Sequence, residues 1–338
     1  MHSTPKIEDV AKAANVSTAT VSRALRGKAG VGDKTRGHIL QIAASLGYTP
    51  SHSAASLASG STHTVGLVLP DVSRWFFANT VEAAERTLRD CDYDALIYSL
   101  PDYNGIIRPR FDPNVLRSKV DAVAVLSLFF DDDEVRSLKS LNIPAAFLSV
   151  RQPGFSHVGI DDERAMTVAC EHLIGLNHKT IGHLSGMTND KCPDAPTQRR
   201  RNGWVCTLLA HGLEHSESLD AASAIMNVEN GYDAMNQLLD RRPDVTAVVA
   251  SSDELAMGGI QALRDRGLQV GKDVSILGID GHDLDGAFDL TTVSQPVREE
   301  GETLIRILLD AVNGNTDIER KIFPTTLIER GSTGPARD

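Results

Sequence analysis

The stretch Ser17-Thr18-Ala19-Thr20-Val21-Ser22-Arg23-Ala24-Leu25-Arg26 reads as a short helix with two chemically distinct faces. Val21, Ala24 and Leu25 form an apolar stripe, and Thr18, Ala19, Ser22, Arg23 and Arg26 form the opposite face. The residues before it place Ile7, Val10, Ala11 and Ala14 on one side of an earlier helix. Asn15 suits the left-handed backbone of a sharp helix exit, and Ser17 suits the N-cap of the helix that follows. Ala11 is small where two steeply crossing helices must approach closely. Short hydroxyls and guanidinium on an outward face suit phosphates and base edges, so the pair has the features of a helix-turn-helix. Short helical pairs with a polar corner are also common in protein cores, so the rest of the chain has to weigh in.

The charge distribution does so. The chain of 338 residues has a net charge of −11, which argues against nucleic-acid binding by the whole molecule. Residues 1–64, however, hold seven Lys/Arg against three Asp/Glu, leaving the remaining residues at −15. A basic head on an acidic body fits DNA contact confined to the head. The 41% hydrophobic content is that of a soluble protein with room for two or three domains. No segment approaches the ~18–20 apolar residues of a membrane span, and no apolar run follows Met1 as a secretory signal would require. Cys91, Cys170, Cys192 and Cys206 lack paired metal spacing and read as free thiols in a reducing cytoplasm.

Past a loop at Gly27–Gly32, the pattern Ile39, Ile42, Ala43, Leu46 predicts a third helix over 33–46, with Gly47 closing it. Tyr48-Thr49-Pro50 leads out in extended form, and Ser51–Gly60 is polar and alanine-rich with Leu57 as its one large apolar residue. From Val65 the texture changes to alternating strands and helices. Strands are expected at 65–69, 95–100, 120–126 and 143–150, with helices at about 80–90 and 133–141. A second set is expected as helix 164–176, strand 179–184, helix 198–211, strand 247–251, helix 254–265 and strand 274–279. The chain then crosses back at 292–296 into a helix at 300–312. Such alternation implies parallel sheets covered on both faces, with ligands beyond the carboxyl ends of the strands.

At the end of the first of these strands stands Trp75-Phe76-Phe77, three aromatics in a row in a chain with 5% aromatic content. A ring exposed there can stack on the apolar face of a sugar or on a base, and Phe77 reads as core beneath the following helix. Asp131-Asp132-Asp133-Glu134 resembles a metal-ligand run, but before an amphipathic helix it reads as favourable charge at a helix N-terminus. His178 and His183 read as structural. No nucleophile elbow, zinc-protease motif, phosphate loop or dinucleotide fingerprint is present, so no catalytic centre, metal site or cofactor is expected.

The blocks VAKAANVSTATVSRAL (10–25), GYTPSHSAASLASG (47–60), THTVGLVLPD (62–71), SSDELAMGG (251–259), VSILGIDG (274–281), TTVSQPV (291–297) and LIERGST (327–333) together resemble the lactose/galactose-repressor family of bacterial transcription regulators. They run in the family's order along nearly the whole chain. The resemblance implies an α/β protein: an all-α three-helix head, a hinge helix, and two doubly wound parallel-sheet lobes of periplasmic-binding-protein type. The expected boundaries are a head at 1–50, a hinge at 51–61 and a body at 62–333, with one lobe at 62–160 plus 294–317 and the other at 161–293 plus 318–333.

The residues expected at DNA are Ser17, Thr18, Ala19, Thr20, Ser22, Arg23, Tyr48 and Leu57, the last in a hinge helix that enters the minor groove as a pair. Effector contacts are expected from Trp75 or Phe76, from Arg200 in the spacing Arg200-x-x-Gly203-Trp204, and from Asp280. Arg199 and Arg201 are expected on the solvated surface. Asp253 reads equally as helix cap or ligand, and Gln295 and Asp161 are carried by position only. Gly281-His282 stands where many relatives have Asn or Asp, which leaves the neighbouring contact open. The expected function is that of a cytoplasmic, non-enzymatic regulator, bound to a palindromic double-stranded operator as a homodimer. A small ligand controls it, a sugar or sugar derivative being favoured over a nucleobase or nucleoside. A solute-binding transport protein would leave residues 1–60 without a task, and a sugar-processing enzyme would need the missing catalytic set.

Overall fold

Three helices, α1 (Ile7–Ala14), α2 (Thr18–Leu25) and α3 (Asp33–Leu46), build the N-terminal unit, which ends at His63. The structure, a computed structural model, describes residues 5–25, 30–48, 61–100, 110–186 and 194–337. Arg26 and residues 51–60, where the hinge and Leu57 are expected, lie outside these. Val10, Ala11, Val21, Ala24, Ile39 and Ala43 meet as the core of the unit. Asn15, at φ 54°, turns the chain out of α1, and its N–H donates to the carbonyls of Ala11 and Lys12. Gly47 at φ 66° ends α3 in the same way.

The C-terminal unit, from Thr64 on, carries two six-stranded sheets. Its first lobe is built from β1 (Thr64–Leu69), α4 (Trp75–Asp90), β2 (Asp94–Ser99), β3 (Ala122–Leu126), α5 (Asp132–Ser140), β4 (Ala145–Leu148) and β5 (Ser156–Ile160). The second holds α6 (Asp162–Gly175), β6 (Ile181–Gly186), α7 (Pro196–Ala210), β7 (Asp220–Ser223), α8 (Val228–Arg241), β8 (Ala247–Ala250), α9 (Asp253–Asp265), β9 (Ser275–Asp280), α10 (Asp285–Phe288) and β10 (Thr291–Ser294). The chain returns as α11 (Val297–Val312), β11 (Arg320–Phe323) and β12 (Thr326–Ile328). The sheet orders are β11-β5-β4-β3-β1-β2 and β12-β10-β9-β8-β6-β7, parallel throughout except for the β10–β12 pair. Central strands such as β3 and β8 are buried at every position because helices cover both sheet faces.

Several boundaries differ from the sequence reading. Helix α4 begins at Trp75, not near 80. The Asp71 carboxylate accepts from the N–H and hydroxyl of Ser73, and this turn brings the aromatics into the first helical turn. Strands β5 and β7 and helix α8 had no counterpart, and β7, with sequence DAAS, has no apolar run to signal it. Strand β11 pairs with β5 in the first sheet and β12 with β10 in the second. The last crossing between lobes therefore lies between Phe323 and Thr326, and 318–323 does not join the second lobe. Among the described residues no helix is long and apolar enough to cross a membrane.

Candidate functional site

In the N-terminal unit the hydroxyl of Ser17 accepts from the Thr20 N–H at 3.2 Å and lies 2.9 Å from the Thr20 hydroxyl. Ser17 thus caps α2, and the Thr20 side chain is held by the cap. Thr18, Ala19 and Arg23 are exposed, while Ser22 is half-buried. Tyr48 is half-buried and packs against the three-helix core, and burial, with Glu8 nearby, raises its phenol pKa. The outward surface of α2 is therefore a short row of small side chains with one guanidinium.

Between the lobes of the C-terminal unit lies a cavity of about 710 Å³, its open mouth included, whose wall includes Arg74, Phe76, Arg200, Met226, Asp280 and Gln295. Arg200 stands in α7, which starts with Pro196 at its first turn. Gly203 lets α7 cross α6 closely, since a Cβ there would lie 2.7 Å from the Glu163 carbonyl. That approach sets Arg200 over buried Asp162, to which its Nε donates at 2.9 Å. Its Nη1 donates to the Ser251 carbonyl and lies 3.4 Å from Asp280 Oδ1.

Asp280 is the last residue of β9 and holds φ 143°, a strained backbone for any side chain, just before Gly281 at φ 82°. Gln295 grips it twice: Nε2 donates to Oδ1 at 2.7 Å, and the backbone N–H donates to the Asp280 carbonyl at 3.1 Å. Burial pushes the Asp280 carboxyl up to about 7, with the Asp253 charge adding to the rise and Arg200 and Arg74 opposing it. Arg200, Asp280 and Gln295, far apart in sequence, thus form one bonded cluster on the cavity wall.

Asp253 stands apart from that wall. It is fully buried, and its carboxylate accepts from the N–H groups of Gly281 and His282 and from the Thr292 hydroxyl. The cap of α9 is Ser252, whose hydroxyl accepts from the Leu255 N–H at 3.3 Å. Asp253 is neither cap nor cavity lining; it holds the turn that follows Asp280. Asp161 caps α6, accepting from the Arg164 N–H, and also receives Arg199 at 3.0 Å.

The aromatics divide. Phe76 faces the cavity, with Phe77 edge-on to it, while both also pack in the core of the first lobe. Trp75, expected as an alternative effector contact, is not part of the cavity wall; it stacks on His282, with its Nε1 donating to Asp283. The expectation that Arg199 and Arg201 are solvated is corrected. Arg199 is 4% exposed beside Asp161 and Asp162, and Arg201 is half-buried with Nε 2.6 Å from Asp220. The acidic N-terminus of α6 and the half-buried Asp220 draw them inward.

Sequence reasoning missed Arg74, Asp162 and Glu300. Arg74 pairs with Glu254 through Nε and Nη2 at 3.2 and 3.1 Å. Glu300 is wholly buried in α11 with neither carboxylate oxygen hydrogen-bonded. Proximity to Trp75 and Asp161 in sequence could have flagged the first two; Glu300 reads simply as acidic charge at a helix start. Asp131 and Glu134 cap α5 reciprocally, and His178 and His183 hydrogen-bond within the second lobe. Among the described residues no group of His, Cys, Asp and Glu is arranged to hold a metal ion.

Comparison with known proteins completes the picture. Residues 6–51 match the family of bacterial regulatory proteins, lacI family, and residues 170–333 match a periplasmic binding protein-like domain. The HTH-type transcriptional regulator DegA of Bacillus subtilis (strain 168) is 32% identical, over 97% of this chain and 98% of its own length. A solved complex of the transcriptional regulator CelR with cellobiose is 29% identical with a TM-score of 0.71, covering 97% of this chain and 99% of that one. The lac repressor dimer bound to operator and the anti-inducer ONPF shares the fold at a TM-score of 0.86 and 24% identity, covering 98% of this chain and 100% of that one.

Proposed function

Since the chain belongs to the lacI family of bacterial regulatory proteins and is a DNA-binding transcriptional regulator, we propose that it represses transcription from a palindromic operator as a homodimer, under control of a sugar or sugar derivative bound between its lobes. The observation that carries this reading is the cluster of Arg200, Asp280 and Gln295 beside Phe76 in the cleft. A carboxylate and an amide can take vicinal hydroxyls, and a ring edge or face can cover the apolar side of a pyranose. The cellobiose bound by the related CelR supports a saccharide over a nucleobase.

In this reading residues 1–50 hold the operator, with Thr18, Ala19 and Arg23 at base edges and Ser17, Thr20, Ser22 and Tyr48 positioning the backbone. Residues 51–61 form the hinge, whose Leu57 wedges into the operator centre, and the remainder binds effector and partner subunit. No catalytic step is involved. The test has two arms. Selection of binding sites from a random DNA pool, followed by sedimentation of the complex, should return a two-fold-symmetric site occupied by two chains. A thermal-shift screen of the full chain against saccharides and nucleobases should return a saccharide that alters operator affinity. An asymmetric site bound by one chain, or a nucleobase as the sole binder, would overturn the respective half.

A further inference from the structure

Among the described residues, two cationic side chains reach the cavity wall, Arg74 and Arg200. Neither has charge to spare. Arg200 faces Asp162 at 2.9 Å and Asp280 at 3.4 Å, and these two carboxylates are 2% and 6% exposed. Arg74 faces Glu254 at 3.1 Å, with both side chains largely covered. Two further acids are fully buried nearby: Asp253 beneath the Asp280 turn, and Glu300, whose oxygens have no hydrogen-bond partner. Three carboxylates, those of Asp162, Asp280 and Glu254, therefore face the two guanidiniums of the cleft. We propose that the cleft takes an electrically neutral, hydrogen-bond-donating ligand and rejects carboxylated and phosphorylated sugars. The inference rests on the cleft being the effector site.

The physical reason is the state of Arg200. An anionic ligand seeking its guanidinium must displace Asp162 or Asp280, leaving a buried carboxylate without its partner, which is among the most destabilising changes an interior can suffer. If the ligand leaves those pairs intact, its charge faces Asp280 across a poorly screened cavity. A neutral hydroxyl or N–H meets neither obstacle, because it donates to Asp280 while the existing pairs persist. The positions of Asp280 and Glu300 agree with such a field. Burial and neighbouring carboxylates push Glu300 up to about 8, against the pull of Arg200. Four hydroxyls on the wall, of Ser127, Ser149, Thr197 and Ser252, extend the uncharged polar lining.

The experiment uses the full chain and calorimetry at pH 7.5. Each neutral mono- or disaccharide that binds is compared with its uronate and its 6-phosphate, and each nucleobase or nucleoside that binds with its monophosphate. The charged member of each pair should bind about a hundredfold more weakly or not at all. A uronate or phosphate ester binding as tightly as its neutral parent overturns the proposal. Binding by nucleobases alone, with the charge rule obeyed, overturns the saccharide reading and leaves this one standing. A panel with no neutral binder overturns both. Asp162→Asn, and independently Glu254→Gln on the rim, should each narrow the discrimination at least tenfold by freeing a guanidinium. Unchanged discrimination in both variants overturns the assigned cause.

Discussion

Trp75 of the first lobe reaches Asp283 of the second: the indole Nε1 donates to the carboxylate at 2.9 Å. The same ring lies on His282 with centroids 4.8 Å apart and planes 30° from parallel. Trp75 opens α4 in the first lobe, and Asp283 and His282 lie beyond β9 in the second. Arg298 of α11 also approaches Asp283, at 3.5 Å, and Arg74 meets Glu254 beside it. Asp283 is half exposed, so its ion pair contributes little by itself, and the stack gives the contact its direction. These groups clasp the two lobes together.

The clasp should set how long a ligand stays. Trp75→Phe keeps the stack and loses the bond to Asp283; Trp75→Ala loses both. Stopped-flow dissociation of the bound ligand should accelerate about threefold in the first and about tenfold in the second, roughly 0.7 and 1.4 kcal/mol. Equal rates in all three proteins would remove the clasp from the account.

The buried Glu300 makes stability depend on pH. Its folded pKa, pushed up to about 8 chiefly by burial, exceeds that of a solvated carboxyl. A native state that holds the proton more tightly than the unfolded chain is favoured at acid pH. That advantage is lost as pH rises from the ordinary carboxyl range through about 8. Glu300→Gln cannot ionise, so it should be close to wild type at acid pH and more stable by about 5 kcal/mol at alkaline pH. Urea unfolding at three pH values checks this, and parallel curves would refute it.

Gly203 should not tolerate a methyl group. A Cβ there would lie 2.7 Å from the Glu163 carbonyl and 2.9 Å from the Met166 Cβ, so α6 and α7 would have to separate. Gly203→Ala should destabilise the body by ~1–3 kcal/mol. Because Arg200 is one turn away, ligand affinity should fall further than global instability explains. Calorimetry well below the melting temperature separates the two effects.

Much of this was legible in the sequence, for definite reasons. Central strands such as β1 and β9 announce themselves as apolar runs, and Asn15 and Gly47 mark helix ends because few residues accept left-handed backbone. Arg200, Asp280 and Gln295 could be proposed one by one, but their mutual bonding needed coordinates, since 80 residues separate the first two. Arg199 and Arg201 were misplaced because helical periodicity alone assigns one face per residue. Here α7 is flanked by α6 on one side and Asp220 on another, so three consecutive arginines all find carboxylates. Asp253 looked like a cap because it precedes a helix, and the cap is its neighbour Ser252.

Arg23 is the remaining test, at the other end of the chain. It is exposed on α2, between half-buried Ser22 and buried Ala24, and Val21 and Ala24 anchor that helix in the core. A guanidinium carried on a helix so anchored can fork onto the O6 and N7 of guanine in the major groove. Arg23→Ala should therefore weaken binding by ~1–3 kcal/mol at one base pair per half-site, with little change for operators already altered there. Exposed Ala19 has no hydrogen-bonding side chain, so its position should respond to loss of a thymine methyl or show weak preference. Binding of both proteins to a panel of single-base operator variants gives the answer. Uniform weakening across the panel, with a shallower salt dependence, would make Arg23 a phosphate contact and move base recognition to Thr18 and Ala19.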